Sequence, residues 1–254
     1  DLVRSRGLGD VYKRQNLEYM AGITAKKLIE TASLPTPPLS LGNDLASRII
    51  KYLQANKNRD GNAYNIAIGP KLYNIVYVEG MGPEGNLNDD APNCFNDARL
   101  VIEIPDGTPK LVGNWQATTE PGSKYTYNPM NPQGAARIAF GQYKAWAVGM
   151  HNGNHEALVQ VAPITVYRDF NKDFSRSGDA TDTGLFGVNQ HWGYDLPYND
   201  VQGASAGCLV GRMKQGHREF MALIKQDKRY QANNDYVFWT VVIPGDDLFK
   251  QFSA

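Results

Sequence analysis

The chain has 254 residues, with 26 Lys and Arg against 26 Asp and Glu, and its sequence pI is near 7.1. This length suits one large domain, or one domain with a small appendage, whose core needs no disulfide or metal support. The balanced charge and the lack of a long basic run argue against nucleic acid as a partner. The longest apolar runs, such as VFWTVVI, are strand-sized, so the sequence predicts no membrane span.

The first part of the chain is predicted to lie outside the main domain. Residues 1–15 have neither apolar periodicity nor a signal-peptide pattern, and DVYKRQ within them resembles a translated sequencing-library adaptor. We interpret them as an artefactual or disordered segment, so the native start and any secretion signal are not observable. Residues 16–60 are predicted to form a helical extension with a linker at 33–42, where three prolines exclude a helix.

A helix is predicted over residues 44–55 of this extension. Asn43 and Asp44 are residue types that cap helix N-termini. Leu45, Ile49 and Leu53 then recur near helical spacing, and the polar run NRDGNAYN ends the pattern.

From residue 61 onward, signals for β-strands dominate. The β-branched and aromatic segments predict strands at 73–81, 98–104, 109–120, 136–150, 156–169 and 184–192, and in the final DYVFWTVVIPGDDL. PDGTP predicts a hairpin between the second and third of these strands, and residues 216–230 predict a helix. Residues 61–254 therefore predict one mainly β domain with a few flanking helices.

One of the two cysteines, Cys208, lies in the run GASAGCLVGR. Its small neighbours provide little bulk to bury a thiol and allow a bound chain to approach the backbone closely. The amide N–H groups of Gly207 and Cys208 are then placed to serve as an oxyanion hole. A buried structural thiol, a disulfide with Cys94, a metal ligand and a nucleophile all remain open interpretations.

The histidines help to separate these interpretations. HNGNH at 151–155 has the i, i+4 spacing of zinc helices, but its glycine and asparagines favour a turn, so no metal site is predicted. In FGVNQHWGYD, strand alternation places Asn189 and His191 on the face opposite Val188. A cysteine nucleophile needs a nearby base, and His191, seventeen residues upstream of Cys208, is the candidate.

These residues together resemble the signature of the L,D-transpeptidase (YkuD-like) catalytic domain. The matching residues are His191, Gly193, Ser205, Gly207 and Cys208. The resemblance covers roughly residues 70–254. The chain departs from the family pattern at Ala206, where a second histidine is frequent, and the gap between the histidine and the serine is slightly short.

The resemblance implies a β-sandwich or barrel-like domain and a set of catalytic roles. Cys208 is the acylated nucleophile, and His191 is its general base and later the acid. Gly207 belongs to the oxyanion turn, with Ser205 as its support. The resemblance also suggests substrate contacts, which are Arg212 as a cation for a peptide carboxylate, and Trp192, Gly193 and Asn189 beside the catalytic pair.

The function that follows is acyl transfer on peptidoglycan stem peptides through a thioester, with no cofactor. The compartment implied by that substrate is extracytoplasmic, in the periplasm or cell wall. Two alternatives stay open. One is an L,D-carboxypeptidase or lysin-like hydrolase on the same scaffold, and the other is a non-catalytic module that binds the cell wall.

Overall fold

A computed structural model describes residues 37–253. The predictions for residues 1–15 and for residues 16–36 of the extension lie outside the described residues. The chain from Pro38 onward forms one compact unit. Within the described range, no helix has the length and apolar character needed to cross a membrane.

Strands dominate the described residues, as the sequence predicts. The helices are α1 (Leu45–Ala55), α2 (Ser123–Tyr127), α3 (Lys214–Ile224), α4 (Lys228–Ala232) and α5 (Gly245–Gln251). The strands are β1 (Gly69–Glu79), β2 (Asp97–Ile104), β3 (Lys110–Thr118), β4 (Ala135–Ile138), β5 (Gly141–His151), β6 (His155–Gln160), β7 (Ile164–Asp169), β8 (Ala180–Gly184), β9 (Gln190–Trp192), β10 (Leu209–Gly211) and β11 (Phe238–Pro244).

Most of these strands close into a barrel. Its strand order is β1-β11-β5-β6-β9-β10-β3-β2, with β2 returning to β1. The β1–β11 and β9–β10 pairs are parallel, and the other neighbours in the barrel are antiparallel. The remaining strands form a separate antiparallel sheet of order β4-β7-β8. The fold is therefore mainly β, with a large mixed sheet and a few helices.

The barrel wall is buried on both faces along β1. Ile75 and Tyr77 belong to the core that spans the barrel and receives α3, whereas Val76 and Val78 pack into a second core with α1 and α5. This division follows the period-two alternation of side chains along a strand. A strand covered on both sides reads as a continuous apolar run, which is why NIVYV stands out in the sequence.

Helix α1 agrees with the predicted helix at 44–55. The Asp44 carboxylate caps it, accepting hydrogen bonds from the Ser47 N–H at 3.0 Å and the Ser47 hydroxyl at 2.7 Å. Ile49 and Leu53 are buried against strands of the barrel in the second core. The boundary predicted at residue 60 therefore falls inside one compact unit, and α1 is part of that unit.

Several predicted elements are divided in the structure. The strand predicted at 136–150 breaks before Gly141, whose φ of +150° does not continue the strand, and the strand predicted at 156–169 breaks at Pro163, which lacks an N–H. The strand predicted at 184–192 turns at Gly187, where φ is +72°, so only its last residues pair as β9. The helix predicted at 216–230 splits into α3 and α4, because the buried Asp227 caps α4 and also accepts the Tyr73 N–H.

Candidate functional site

A cavity of about 510 Å³ lies where the barrel strands approach the β4-β7-β8 sheet. Cys208 and His191 both line it, as the sequence predicts for a nucleophile and its base. Ala136 and Arg168 of the smaller sheet contribute to the same lining, together with His151 at the end of β5. The cavity is therefore assembled from segments that are far apart in the chain.

The parallel pairing of β9 and β10 brings the thiol and the imidazole to one place. His191 pairs with Val210, and the Leu209 N–H donates to the Asn189 carbonyl at 2.9 Å. Cys208 therefore lies beside Asn189, whose N–H donates to the Cys208 Sγ at 3.4 Å. The thiol itself donates to the Gly187 carbonyl at 3.6 Å, so its hydrogen bonds in this state are with backbone groups.

The turn before Cys208 is held by Ser205. The Ser205 hydroxyl donates to the Cys208 carbonyl at 2.9 Å and accepts from the Gly207 N–H at 3.1 Å. The expected oxyanion role of the Gly207 N–H is therefore not supported, because that donor is already engaged. The Cys208 N–H has no partner within residues 37–253, which leaves it available to an oxyanion.

Gly207 is required here by its backbone and by its neighbour. Its φ is +124°, and a Cβ at this position would lie 2.4 Å from the Ala136 carbonyl oxygen. We expect Gly207→Ala to displace the turn, slow modification of Cys208 more than tenfold, and lower the free energy of unfolding by roughly 2 kcal/mol or more. Thiol alkylation and chemical unfolding measure the two effects. Gly178→Ala is the matched control, because Gly178 also has positive φ but open space around its Cβ position.

The tautomer of His191 is determined by a carbonyl group. Its Nδ1 lies 2.8 Å from the Trp192 carbonyl oxygen, which can only accept, so Nδ1 carries the proton. The Nε2 atom of the neutral ring then carries the lone pair, and no hydrogen bond to it forms within the part of the chain that the structure describes. This is the form that can take a proton from a thiol, with the backbone carbonyl orienting the base.

The other three histidines of the chain cluster around this base. The His151 ring stacks on His191 with centroids 4.0 Å apart and an interplanar angle of 15°. The ring centroid of His155 lies 6.0 Å from that of His191 and 6.2 Å from that of His217. The His155 ring stacks on Trp192 with centroids 3.8 Å apart. Burial lowers the pKa of His191 to about 3, that of His155 to about 4 and that of His217 to about 2, with neighbouring histidines adding to each effect.

The cluster predicts a stability that is sensitive to acid. Histidines in the unfolded chain titrate near pH 6.5, whereas His155, His191 and His217 stay neutral in the fold to much lower pH. As pH falls below 6.5, the histidines bind protons in the unfolded state but not in the folded state, so the free energy of unfolding falls. Each buried histidine contributes up to about 1.4 kcal/mol per pH unit between its two pKa values.

Thermal unfolding at a series of pH values measures this effect. The midpoint should vary little between pH 7 and 8 and should fall steeply between pH 6.5 and 4. His217→Gln removes one of the three groups and is expected to make the slope shallower. An equal slope in this variant and the wild type would contradict the assignment of the acid sensitivity to the histidine cluster.

The thiol of Cys208 is protonated in the resting state. Burial raises its pKa to about 11, and the hydrogen bond from the Asn189 N–H opposes that rise only in part. His191, which lines the same cavity, is neutral as well, so the resting pair is a thiol and an imidazole rather than an ion pair. Both cysteines are free, so the possible disulfide between Cys94 and Cys208 is absent.

Arg99 positions both strands of the site and was not singled out in the sequence. Its guanidinium group is fully buried and donates to the carbonyl oxygens of His191 at 3.1 Å and Leu209 at 3.3 Å. It also donates to the Tyr77 hydroxyl at 2.6 Å and to Nδ1 of His217 at 3.1 Å. Within residues 37–253 no carboxylate pairs with it, so the charge is compensated by backbone and ring dipoles.

The predicted substrate contacts are placed less favourably than the catalytic pair. Arg212 donates to the Leu196 carbonyl and to Gln116 Oε1, each at 2.9 Å, and does not line the cavity. Trp192 also lies outside the lining and packs against His155. Gly193 packs against Phe95, where a Cβ would lie 2.8 Å from the ring. These residues support the site, and the structure does not bring them to the cavity.

Asn189 has a positioning role rather than a contact with the cavity. Its side-chain amide lies 3.0 Å from Nδ1 of His151, and its Oδ1 accepts the Gln160 N–H at 2.9 Å. Its own N–H reaches the thiol, so this residue links the imidazole of His151 to Cys208.

Two cavity residues, His151 and Arg168, were missed in the sequence. His151 ends β5, and the turn predicted over HNGNH is confirmed, with positive φ at Asn152 and Gly153. The Asn-Gly pair signals a hairpin, but it does not tell which cavity the flanking histidine reaches. Arg168 lies in an ordinary alternating strand and carries no local signal.

A second group of acidic residues lies near the ends of β1 and β3. Carboxylate oxygens of Glu79, Asp90 and Glu120 come within 4.8 Å of one another. Arg176 pairs with Glu79 at 2.6 Å, and Arg137 pairs with Glu120. Arginines pair with two of these three carboxylates, and burial raises the pKa of the third, Asp90, to about 6, so the group fits an internal ion network better than a cation site.

No protein-family model, no curated protein and no solved structure matches this chain. The class of site is therefore defined by its geometry alone. It is a solvent-accessible cavity lined by a thiol and a neutral imidazole, and the amide N–H of the cysteine has no partner among residues 37–253.

Proposed function

We propose that the protein is a cysteine acyltransferase that acts on peptidoglycan stem peptides, with the chemistry and the fold of the L,D-transpeptidases. The observation that carries the proposal is the shared cavity of Cys208 and His191, with the Trp192 carbonyl holding His191 in the tautomer of a base. The mainly β fold and the turn Ser205–Cys208 agree with the resemblance found in the sequence.

The first half-reaction forms a thioester. The Cys208 Sγ attacks the carbonyl carbon of the scissile amide, and the thiol proton passes to Nε2 of His191. The Cys208 N–H donates a hydrogen bond to the carbonyl oxygen and stabilises the negative charge that develops there. When the tetrahedral species collapses, the C–N bond breaks and the His191 proton goes to the leaving amine.

The second half-reaction regenerates the enzyme. An amine or a water molecule attacks the thioester carbon, and His191 takes the proton of that nucleophile. The C–S bond then breaks to release the Cys208 thiolate, which receives the proton from His191. An amine gives cross-linking or exchange, whereas water gives trimming. Because burial raises the pKa of the resting thiol to about 11 and lowers that of His191 to about 3, the proposal places the proton transfer within the attack, as the S–C bond forms.

The second candidate function is a non-catalytic module that binds the cell wall. It is favoured by the raised pKa of the Cys208 thiol and by the two backbone hydrogen bonds that this thiol makes. A thiol with these properties is typical of an inert buried cysteine.

The test is mass spectrometry of disaccharide-tetrapeptide muropeptides incubated with the wild type and with Cys208→Ala. The proposal predicts loss of the terminal D-Ala, or its exchange for an added D-amino acid, only with the wild type. The mass of the product shows whether water or an amine accepts the acyl group. Cys94→Ser is the matched control and should keep its activity, because Cys94 lies outside the cavity lining. Equal product with Cys208→Ala would contradict the mechanism.

A further inference from the structure

The cavity around Cys208 contains one charged side chain among the described residues, which is Arg168. The lining histidines, His151 and His191, have lowered pKa values and are neutral near pH 7. No carboxylate between residues 37 and 253 lines the cavity. Arg168 is therefore the one charged group that the described lining offers to a ligand, and it is paired with Asp182 at 2.8 Å.

Arg168 is close to the nucleophile by strand register. It pairs with Ala136 of β4, and the backbone of Gly207 is so close to Ala136 that a Cβ on Gly207 would lie 2.4 Å from the Ala136 carbonyl oxygen. Directly opposed residues on antiparallel strands have Cβ atoms about 5 Å apart. Arg168 therefore lies one strand away from the turn that carries Cys208.

The guanidinium group is held rigidly on one edge and free on the other. Its Nε and Nη2 donate to Asp182 Oδ2 at 3.1 and 2.8 Å, and it stacks over Phe186 at 4.5 Å from the ring centroid. Arg168 lines both the cavity of Cys208 and a neighbouring cavity of about 610 Å³, whereas Asp182 lines only the neighbouring one. Nη1 has no hydrogen-bond partner within the described chain, and it is accessible to solvent.

We propose that Arg168 is a specificity-determining residue. It binds a carboxylate of the acyl donor while the carbonyl carbon of the donor's scissile amide faces Cys208. A fixed guanidinium with a free N–H edge is suited to a carboxylate, which accepts charge-assisted hydrogen bonds. This inference rests on the proposed function for the peptide that carries the carboxylate, but the charge preference of the cavity does not depend on it. In this proposal Arg168 takes the role that the resemblance suggested for Arg212.

The first test uses two small thiol reagents that differ in charge. Iodoacetate and iodoacetamide both alkylate the thiolate, so the ratio of their rates cancels any change in the pKa of Cys208. We expect Arg168→Gln to lower the iodoacetate-to-iodoacetamide ratio at Cys208 by about 10-fold, the effect of one charge-assisted hydrogen bond. Arg168→Lys should keep most of the ratio. The exposed Arg59 provides the matched control, Arg59→Gln, which removes the same charge outside the cavity.

The wild type supplies an internal reference that needs no variant to fold. Peptide mapping reports alkylation of Cys208 and Cys94 in the same sample, and Cys94 lies near the carboxylate of Asp89. The ratio for Cys208 should exceed the ratio for Cys94. Equal ratios at the two cysteines, or an Arg168→Gln ratio equal to that of the wild type, would overturn the proposal.

The second test uses the proposed substrate. The stem tetrapeptide is compared with its C-terminal amide in the wild type and in Arg168→Gln. We expect Arg168→Gln to lower kcat/KM about 10-fold for the acid, mainly through KM, and to change the amide little. An equal loss for both peptides would contradict a carboxylate contact. If the wild type turns over neither peptide, the proposed function fails, and the alkylation ratio alone decides the role of Arg168.

Discussion

His191→Ala is expected to slow formation of the Cys208 thioester by roughly 10²–10⁴-fold near pH 7, the range for loss of a positioned general base. The reason is the neutral resting thiol, whose pKa is about 11, so little thiolate exists without the base. As the pH approaches 10, thiolate forms without help, and the deficit of the variant should shrink. Intact-protein mass spectrometry of acylation over a pH series measures both effects.

His151→Ala is the matched comparison for this prediction. His151 lines the same cavity and stacks on His191, but each of its ring nitrogens lies 3.0 Å from an asparagine side-chain amide. It therefore lacks the free lone pair of His191, and its loss should cost much less activity. His151 also lowers the pKa of His191, so its removal should raise that pKa. An equal loss of activity in the two variants would contradict the assignment of His191 as the base.

Arg99→Met is expected to lower the free energy of unfolding by roughly 3–5 kcal/mol. Methionine fills much of the volume but removes the guanidinium donor from the carbonyl oxygens of His191 and Leu209 and from the Nδ1 atom of His217. Relief of the buried charge offsets only part of this cost. Chemical unfolding measures the change, and Arg59→Met, at an exposed arginine, is the control.

The same variant should also loosen the site. Because Arg99 bridges β9 and β10, its loss is expected to increase hydrogen exchange at the amides of those strands before it affects α1. A change in stability below about 1 kcal/mol would show that the buried guanidinium is dispensable, since surface substitutions commonly remain within that range.

Local signals in the sequence were sufficient for the elements that depend on neighbouring residues. Helix α1 follows from the Asp44 cap and the spacing of Ile49 and Leu53, and all three features lie within one short segment. The hairpin at HNGNH follows from its Asn-Gly pair. The small-residue turn before Cys208 was visible because glycine is needed where the backbone approaches Ala136.

The parts that were missed depend on contacts between distant segments. The split between α3 and α4 depends on Asp227, whose carboxylate also accepts the N–H of Tyr73, far away in the chain. The choice of Arg168 over Arg212 depends on which strands face the cavity, and both arginines follow ordinary strand residues. Strand alternation assigns a face to a side chain but does not identify the sheet opposite it.

The parallel pairing of β1 with β11 determines when the barrel can close. β1 ends at Glu79, and its parallel partner β11 begins at Phe238, so nearly the whole described chain must emerge before the two strands can pair. Until then, β1 and β5 each present an unpaired edge to other chains, which is a template for aggregation. Closure of such distant strands is slow because loop entropy is lost before any contact forms. Closure of this barrel therefore waits until β11 has been made, and the chain before that point is the form most in need of protection from self-association.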